Sequence, residues 1–181
     1  MTRFVVPRLE RSRFEVALPG FAVGFIAGSV AGLMAGLVGQ PIAWAVLASL
    51  TLGVPLGVFG AVYSLLLAGG HVRVGGFAPA ALFWLFAFPL SRLTQEVLTH
   101  LVLTGRVTFP ADVPGFLAYQ GIISAGFAIG FLWLHERIAP QWWRRISGHN
   151  PVAARVYSRY AAHAQSLRTV RERRREGSKT R

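Results

Sequence analysis

From Gly20 to Gly36 the chain places a glycine at every fourth position, at 20, 24, 28, 32 and 36, with Ala27, Ala31 and Ala35 alongside. No residue from Ala17 to Val38 is charged. In water such a stretch is a poor helix, because each interior glycine costs roughly 0.5–1 kcal/mol relative to alanine. In hydrocarbon every backbone group must be satisfied within the segment, so an apolar span has only the helix open to it. Four residues advance about 400° at 3.6 residues per turn. The glycines therefore form a slowly drifting ridge, which the alanines broaden. Bare backbone along a ridge lets a second helix come close, in right-handed crossings near about −40°. Gly20, Gly24, Gly28, Gly32 and Gly36 are read as a packing face.

Composition agrees with a membrane chain. Of the 181 residues 53% are hydrophobic and 14% charged, against about 25% charged in a soluble domain. The net charge of +12 would suit nucleic acid, but its distribution disfavours that partner. Arg3, Arg8, Arg11 and Arg13 precede the first apolar stretch, and twelve of the nineteen basic residues lie from Arg137 onward. Basic residues that flank spans and avoid them are orientation signals. Cysteine is absent, which removes disulfides, thiolate metal sites and Cys nucleophiles. The basic-then-apolar start has the look of a signal peptide. Its apolar part is long enough to cross, and no small-x-small cleavage site follows, so an uncleaved span is expected.

Four spans are expected, at about 17–38, 42–68, 79–104 and 115–134, within a transmembrane domain over 17–137. The Gly39-Gln40-Pro41 connection allows only a tight turn, so the second span returns antiparallel to the first. That span carries its own small-residue ridge at Gly53, Gly57 and Ala61, with Gly60 and Ser64 beside it, the natural partner for the first. Pro55 and Pro89 predict kinks in the second and third spans. Residues 1–16 form a basic segment, read either as a short surface helix starting at Pro7 or as a disordered, solvated tail. Residues 138–170 read as a basic interfacial helix, with Asn150-Pro151 a good helix start, and 171–181 as a disordered basic tail. Trp142, Trp143, Arg144 and Arg145 are read as membrane-interface anchors. The arginines predict both termini, and the loop with Arg73, on the cytoplasmic side, where the basic tail would meet anionic lipids.

The informative polar stretch is PLSRLTQEVLTH in the third span. With Arg92 at zero on a helical wheel, Gln95 lies near about −60°, Thr99 near −20°, Glu96 near +40° and His100 near +80°. These side chains share one arc of a largely apolar helix. A charge at the bilayer centre costs roughly 2.5–3.5 kcal/mol on insertion scales, so such a face turns to protein or to a wet cavity. Arg92 and Glu96, four residues apart, are expected to neutralise one another. Three readings follow: a docking face within a bundle or against another subunit; a path for a proton, ion or small solute; or an amphipathic helix over 91–104 lying on the outer surface.

Catalytic patterns are lacking. Asp112 is the single aspartate, no G-x-S-x-G elbow or P-loop occurs, and HERI at 135–138 lacks the second histidine of a zinc motif. His100 and His135 fall near opposite ends of their antiparallel spans, which disfavours a shared haem. No cofactor and no metal are expected. The sequence therefore predicts an all-α polytopic membrane protein, an antiparallel bundle of four transmembrane helices with a basic cytoplasmic helix and tail. It is expected in a bacterial plasma membrane. The inventory favours a non-enzymatic accessory or scaffolding subunit whose partners are lipid and other membrane subunits or itself. A small transporter or channel subunit is the alternative.

Overall fold

The computed structural model describes residues 8–179, with side chains described for 10–166 and 169. These residues form five helices and no strand: α1 (Arg8–Leu37), α2 (Ile42–Gly69), α3 (Phe77–Thr104), α4 (Val113–Ile146) and α5 (Pro151–Lys179). The first four are each long and apolar enough to cross a membrane.

Local chemistry sets the helix ends. Three helices stop where a glycine enters the left-handed region: Gly39 at φ 85°, Gly70 at φ 82° and Gly105 at φ 70°. The Gly70 N–H donates to the carbonyls of Leu66 and Leu67, which the end of α2 would otherwise leave unpaired. At the start of α4, the Asp112 carboxylate accepts from the Gly115 N–H at 2.9 Å, with Pro114 in the first turn. Asn150 caps α5 through Oδ1, which accepts from the N–H groups of Val152 and Ala153 at 3.0 and 3.1 Å.

Three boundaries differ from those read in the sequence. The expected surface helix and first span are one continuous helix, α1. α4 runs past residue 134 and through Pro140 to Ile146, so the single helix expected over 138–170 is split between the last turns of α4 and α5. The backbone of α5 stays helical to Lys179, where a disordered tail was expected from Arg171. Residues 1–7, including Arg3 and the proposed Pro7 helix start, and residues 180–181 lie outside the described residues.

α1 and α2 meet backbone to backbone. A Cβ placed on Gly28 would lie 2.9 Å from the Leu52 carbonyl carbon and closer still to Gly53, and one on Gly24 would lie 2.9 Å from the Gly57 nitrogen. Gly20 and Gly60 each face the other's carbonyl, and Gly32 lies against Ala45 and Ser49. Gly53 and Gly57 lie under Phe25 and Phe21: a Cβ on Gly53 would stand 3.1 Å from the Phe25 carbonyl oxygen, and one on Gly57 2.9 Å from the Phe21 ring. Gly36 does not belong to this contact: a Cβ there would stand 3.8 Å from Ala45, an ordinary separation, because the helices diverge toward their connecting turn. Gly60 takes a place in the ridge that the sequence reading had given to its neighbours.

α3 and α4 meet differently, through rings. Trp84 packs on Phe127 and Phe131 at centroid distances of 4.6 and 4.5 Å, and Phe88 on Phe127 at 4.9 Å. Tyr63 of α2 closes the cluster, 5.5 Å from both Phe83 and Phe131. The buried core runs from these rings to the end of the molecule where the start of α1, the end of α4 and α5 come together, here called the basic end. The opposite end, with the α1–α2 turn, exposes Leu33, Met34, Leu37 and Ile42.

Candidate functional site

The polar residues of α3 lie in its second half, toward the turn end. All five are partly buried. Arg92 donates from Nη1 to Gln95 Oε1. Glu96 Oε1 lies 3.7 Å from His100 Nε2, their side chains 42% and 45% exposed. Thr99 Oγ1 stands 3.4 Å from Thr51 Oγ1 of α2, which anchors one edge of the face within the chain. The expected Arg92–Glu96 pair is not formed; among the described residues no ion pair joins them. The wheel supplies the reason. Gln95 and Glu96 flank Arg92 on opposite sides, so a guanidinium turned to Gln95 turns away from Glu96, which shares its own side with His100. α3 is one unbroken helix from Phe77 to Thr104, so residues 91–104 continue it rather than forming a separate surface helix.

The structure brings together a second polar group, at the basic end. Trp143 is fully buried and donates from Nε1 to the Val16 carbonyl at 3.1 Å, while Trp142 donates to the Glu15 carbonyl at 2.8 Å. The reading of Trp142 and Trp143 as membrane-interface anchors does not include these bonds; Trp143 is closed off within the chain, whereas Trp142 stays partly exposed. Both indoles are spent on the first turns of α1, and the Trp143 ring sits between His135 and Tyr160 at 5.8 and 5.6 Å. Arg144 and Arg145, on the other side of α4, are exposed.

Asn150 does more than cap α5. Its amide donates to the Ser12 carbonyl at 2.8 Å and to Glu15 Oε2 at 3.0 Å, and His149 lies 3.2 Å from the same carboxylate. A few positions along α5, Tyr160 donates from its hydroxyl to Glu136 Oε1 at 2.8 Å. Burial, with the Glu136 carboxylate beside it, holds the Tyr160 phenol above its ordinary pKa. Arg159 reaches the Leu67 and Ala68 carbonyls at 3.4 and 3.3 Å, placing a cation on the negative end of α2.

Deeper in, His135 is wholly buried with Nε2 2.9 Å from Ser64 Oγ. The His135 Nδ1, the Tyr63 hydroxyl and the Trp84 Nε1 have no hydrogen-bond partner among the described residues. Sequence reading missed this pair. Ser64 belongs to the small-residue ridge and His135 to HERI, and nothing local connects positions 71 residues apart. His135 stands near the basic end and His100 near the turn end, so the two histidines are not brought together. Among the described residues no three of His, Asp and Glu converge as a metal site would need.

Compared with protein-family models, with curated proteins and with solved structures, the chain matches none.

Proposed function

We propose that this chain is a non-enzymatic, multi-pass protein of a bacterial plasma membrane, with both termini cytoplasmic, that serves as an accessory or scaffolding subunit of a larger membrane assembly. The single observation that carries the reading is the polar face of α3. Glu96 and His100 remain 42% and 45% exposed on the surface of the lone chain, part-way along a helix apolar enough to span. Charge in hydrocarbon costs roughly 2.5–3.5 kcal/mol per group on insertion scales. A second protein surface covering Arg92, Glu96 and His100 removes that cost. The orientation rests on the arginines at the two ends of the span region, which favour the cytoplasmic side.

The test is recovery of a tagged full-length chain from membranes in mild detergent. A membrane protein recovered in fixed ratio, and lost when Glu96→Leu and His100→Leu make the face apolar, supports the reading. Recovery of the chain alone as a monomer overturns it. Reporter fusions after residues 40 and 110 are expected to report outside, and those at 73 and 181 inside; an external signal at 181 overturns the orientation.

A further inference from the structure

At the basic end, α1, α2 and α5 flank an open surface cavity of about 390 Å³. It is lined by Arg13 of α1, Arg155 of α5 and His71 from the connection after α2, together with the apolar Val62, Leu65 and Leu66 of α2. The volume is within the range of small-ligand sites. The lining holds two arginines and no carboxylate. Among the described residues neither Arg13 nor Arg155 is in an ion pair; Glu15, two positions from Arg13 and off its face, is occupied by Arg11, His149 and Asn150, and Glu10, three positions before Arg13, forms no ion pair either. The negative end of α2 nearby is already answered by Arg159 and does not offset the pair.

A second feature is continuous with the cavity. Val54, Val58, Val62 and Leu65 are all exposed and, at spacings of four, four and three, form a single apolar stripe down α2. From Leu65, within the cavity lining, to Val54 the stripe runs toward the turn end for about 16 Å at 1.5 Å per residue. One leaflet of hydrocarbon is about 15 Å deep. Cation in the lining and an apolar track of leaflet length leading from it match an amphiphile that is anionic at one end and aliphatic at the other.

We infer that this cavity is a binding site for one anionic phospholipid of the cytoplasmic leaflet, its phosphate held between Arg13 and Arg155 and an acyl chain laid along Val62, Val58 and Val54. Guanidinium groups suit phosphate because their planar donors meet its oxygens two at a time. Basic pockets between spans on the cytoplasmic side are a general mode of headgroup recognition. The inference rests on the membrane reading above and adds to it a specific lipid, held at residues other than those of the α3 face.

The test follows the unfolding midpoint of the full-length protein in detergent as dioleoyl-phosphatidylglycerol or dioleoyl-phosphatidylcholine is added. Phosphatidylglycerol is expected to raise the midpoint and phosphatidylcholine to leave it unmoved; equal responses overturn the site. Arg13→Gln with Arg155→Gln should weaken the phosphatidylglycerol response roughly ten- to thirty-fold in concentration. Arg144→Gln with Arg145→Gln removes the same charge from the same end and should change it less than about two-fold; an equal loss would mean diffuse attraction only. Val62→Trp keeps both arginines and fills the groove, and so tests the site even if the arginine variant is not recovered; an unchanged response there overturns it. Inorganic phosphate should not compete, and competition would mean a free-anion site. Carbonate washing keeps the two readings apart. A chain released from membranes sinks the membrane reading itself, whereas a chain retained there with no preference for phosphatidylglycerol sinks only the lipid site.

Discussion

At the basic end of the molecule Asn150, Trp142, Trp143 and Tyr160 each find their polar partner on another helix. Along the second half of α3, Arg92 and Glu96 find theirs within one turn of the same helix. The first arrangement constrains the fold, because moving any one helix breaks bonds on two. The second constrains the rotamers of Arg92 and Glu96, and on that face only Thr99, 3.4 Å from Thr51 of α2, reaches another helix. A satisfied polar group ties one helix to another only when its partner lies on a different helix. By that criterion the basic end is built for stability, and the α3 face is left available.

The largest test of that contrast is Trp143→Ala. The residue is fully buried, packs against His135 and Tyr160, and ties α4 to α1. Removing a buried Trp costs about 3–5 kcal/mol, so loss of folded protein from the membrane fraction is expected. Trp142→Ala, at a partly exposed position, should cost less. Equal and mild effects on thermal midpoint would return both residues to the role of surface anchors.

Next in size is the glycine contact, which separates the two ends of α1 itself. Gly28→Ile drives a side chain into the Leu52–Gly53 backbone, and overpacking of this kind costs about 1–3 kcal/mol or more. Gly36→Ala meets nothing closer than 3.8 Å and should be neutral or slightly stabilising, as should Val30→Ile on the exposed side. Abundance and migration in mild detergent check the order. Equal tolerance at 28 and 36 would make the glycine register mere composition.

These elements also show how far the sequence could be read. The close approach at Gly20, Gly24, Gly28 and Gly32, the presence of four apolar helices and the Asn150 cap were legible because each depends on residues within a few turns of one another. The Trp142 and Trp143 bonds were not, since their acceptors lie 127 residues away and a Trp-Trp-Arg-Arg run is equally suited to a bilayer interface. The extent of α4 was misread because Glu136, Arg137 and Pro140 end the apolar run without ending the helix. Glu136 finds Tyr160 there, and packing on α1 and α5 holds the last turns together. In the α3 face the membership was legible and the pairing was not. Spacing puts both Gln95 and Glu96 within reach of Arg92, and the choice between them is a matter of rotamer.

Asn150 tests whether the basic end depends on its cross-ties or merely on its caps. Asn150→Ala loses both, and a lost cap alone is worth about 1 kcal/mol. Asn150→Ser keeps an oxygen able to cap α5 but lacks the amide that reaches Ser12 and Glu15. If the cross-tie matters, Asn150→Ser should recover only part of the lost thermal midpoint. Full recovery would assign the residue to α5 alone and weaken the contrast drawn here.

The smallest expected effect lies in the α3 face and decides the other side of the comparison. Were Arg92 and Glu96 a buried, mutually neutralising pair, removing either would strand a charge, and breaking such a pair can cost about 3–5 kcal/mol in soluble proteins. The double variant would then recover. The geometry predicts otherwise, because Arg92 is paired with Gln95 and Glu96 with His100. In the purified chain Arg92→Gln and Glu96→Gln should each shift the midpoint little. The double variant should equal their sum to within about 0.5 kcal/mol, the scale of a neighbouring pair on one helix. Measured in the membrane of the source cell, with any partner present, the same variants should instead reduce the amount of assembled complex. A strong coupling in the purified chain would mean that the face closes upon itself and has no need of a second surface. Weak coupling in isolation together with loss of assembly in the membrane is the outcome expected of a face completed by another subunit.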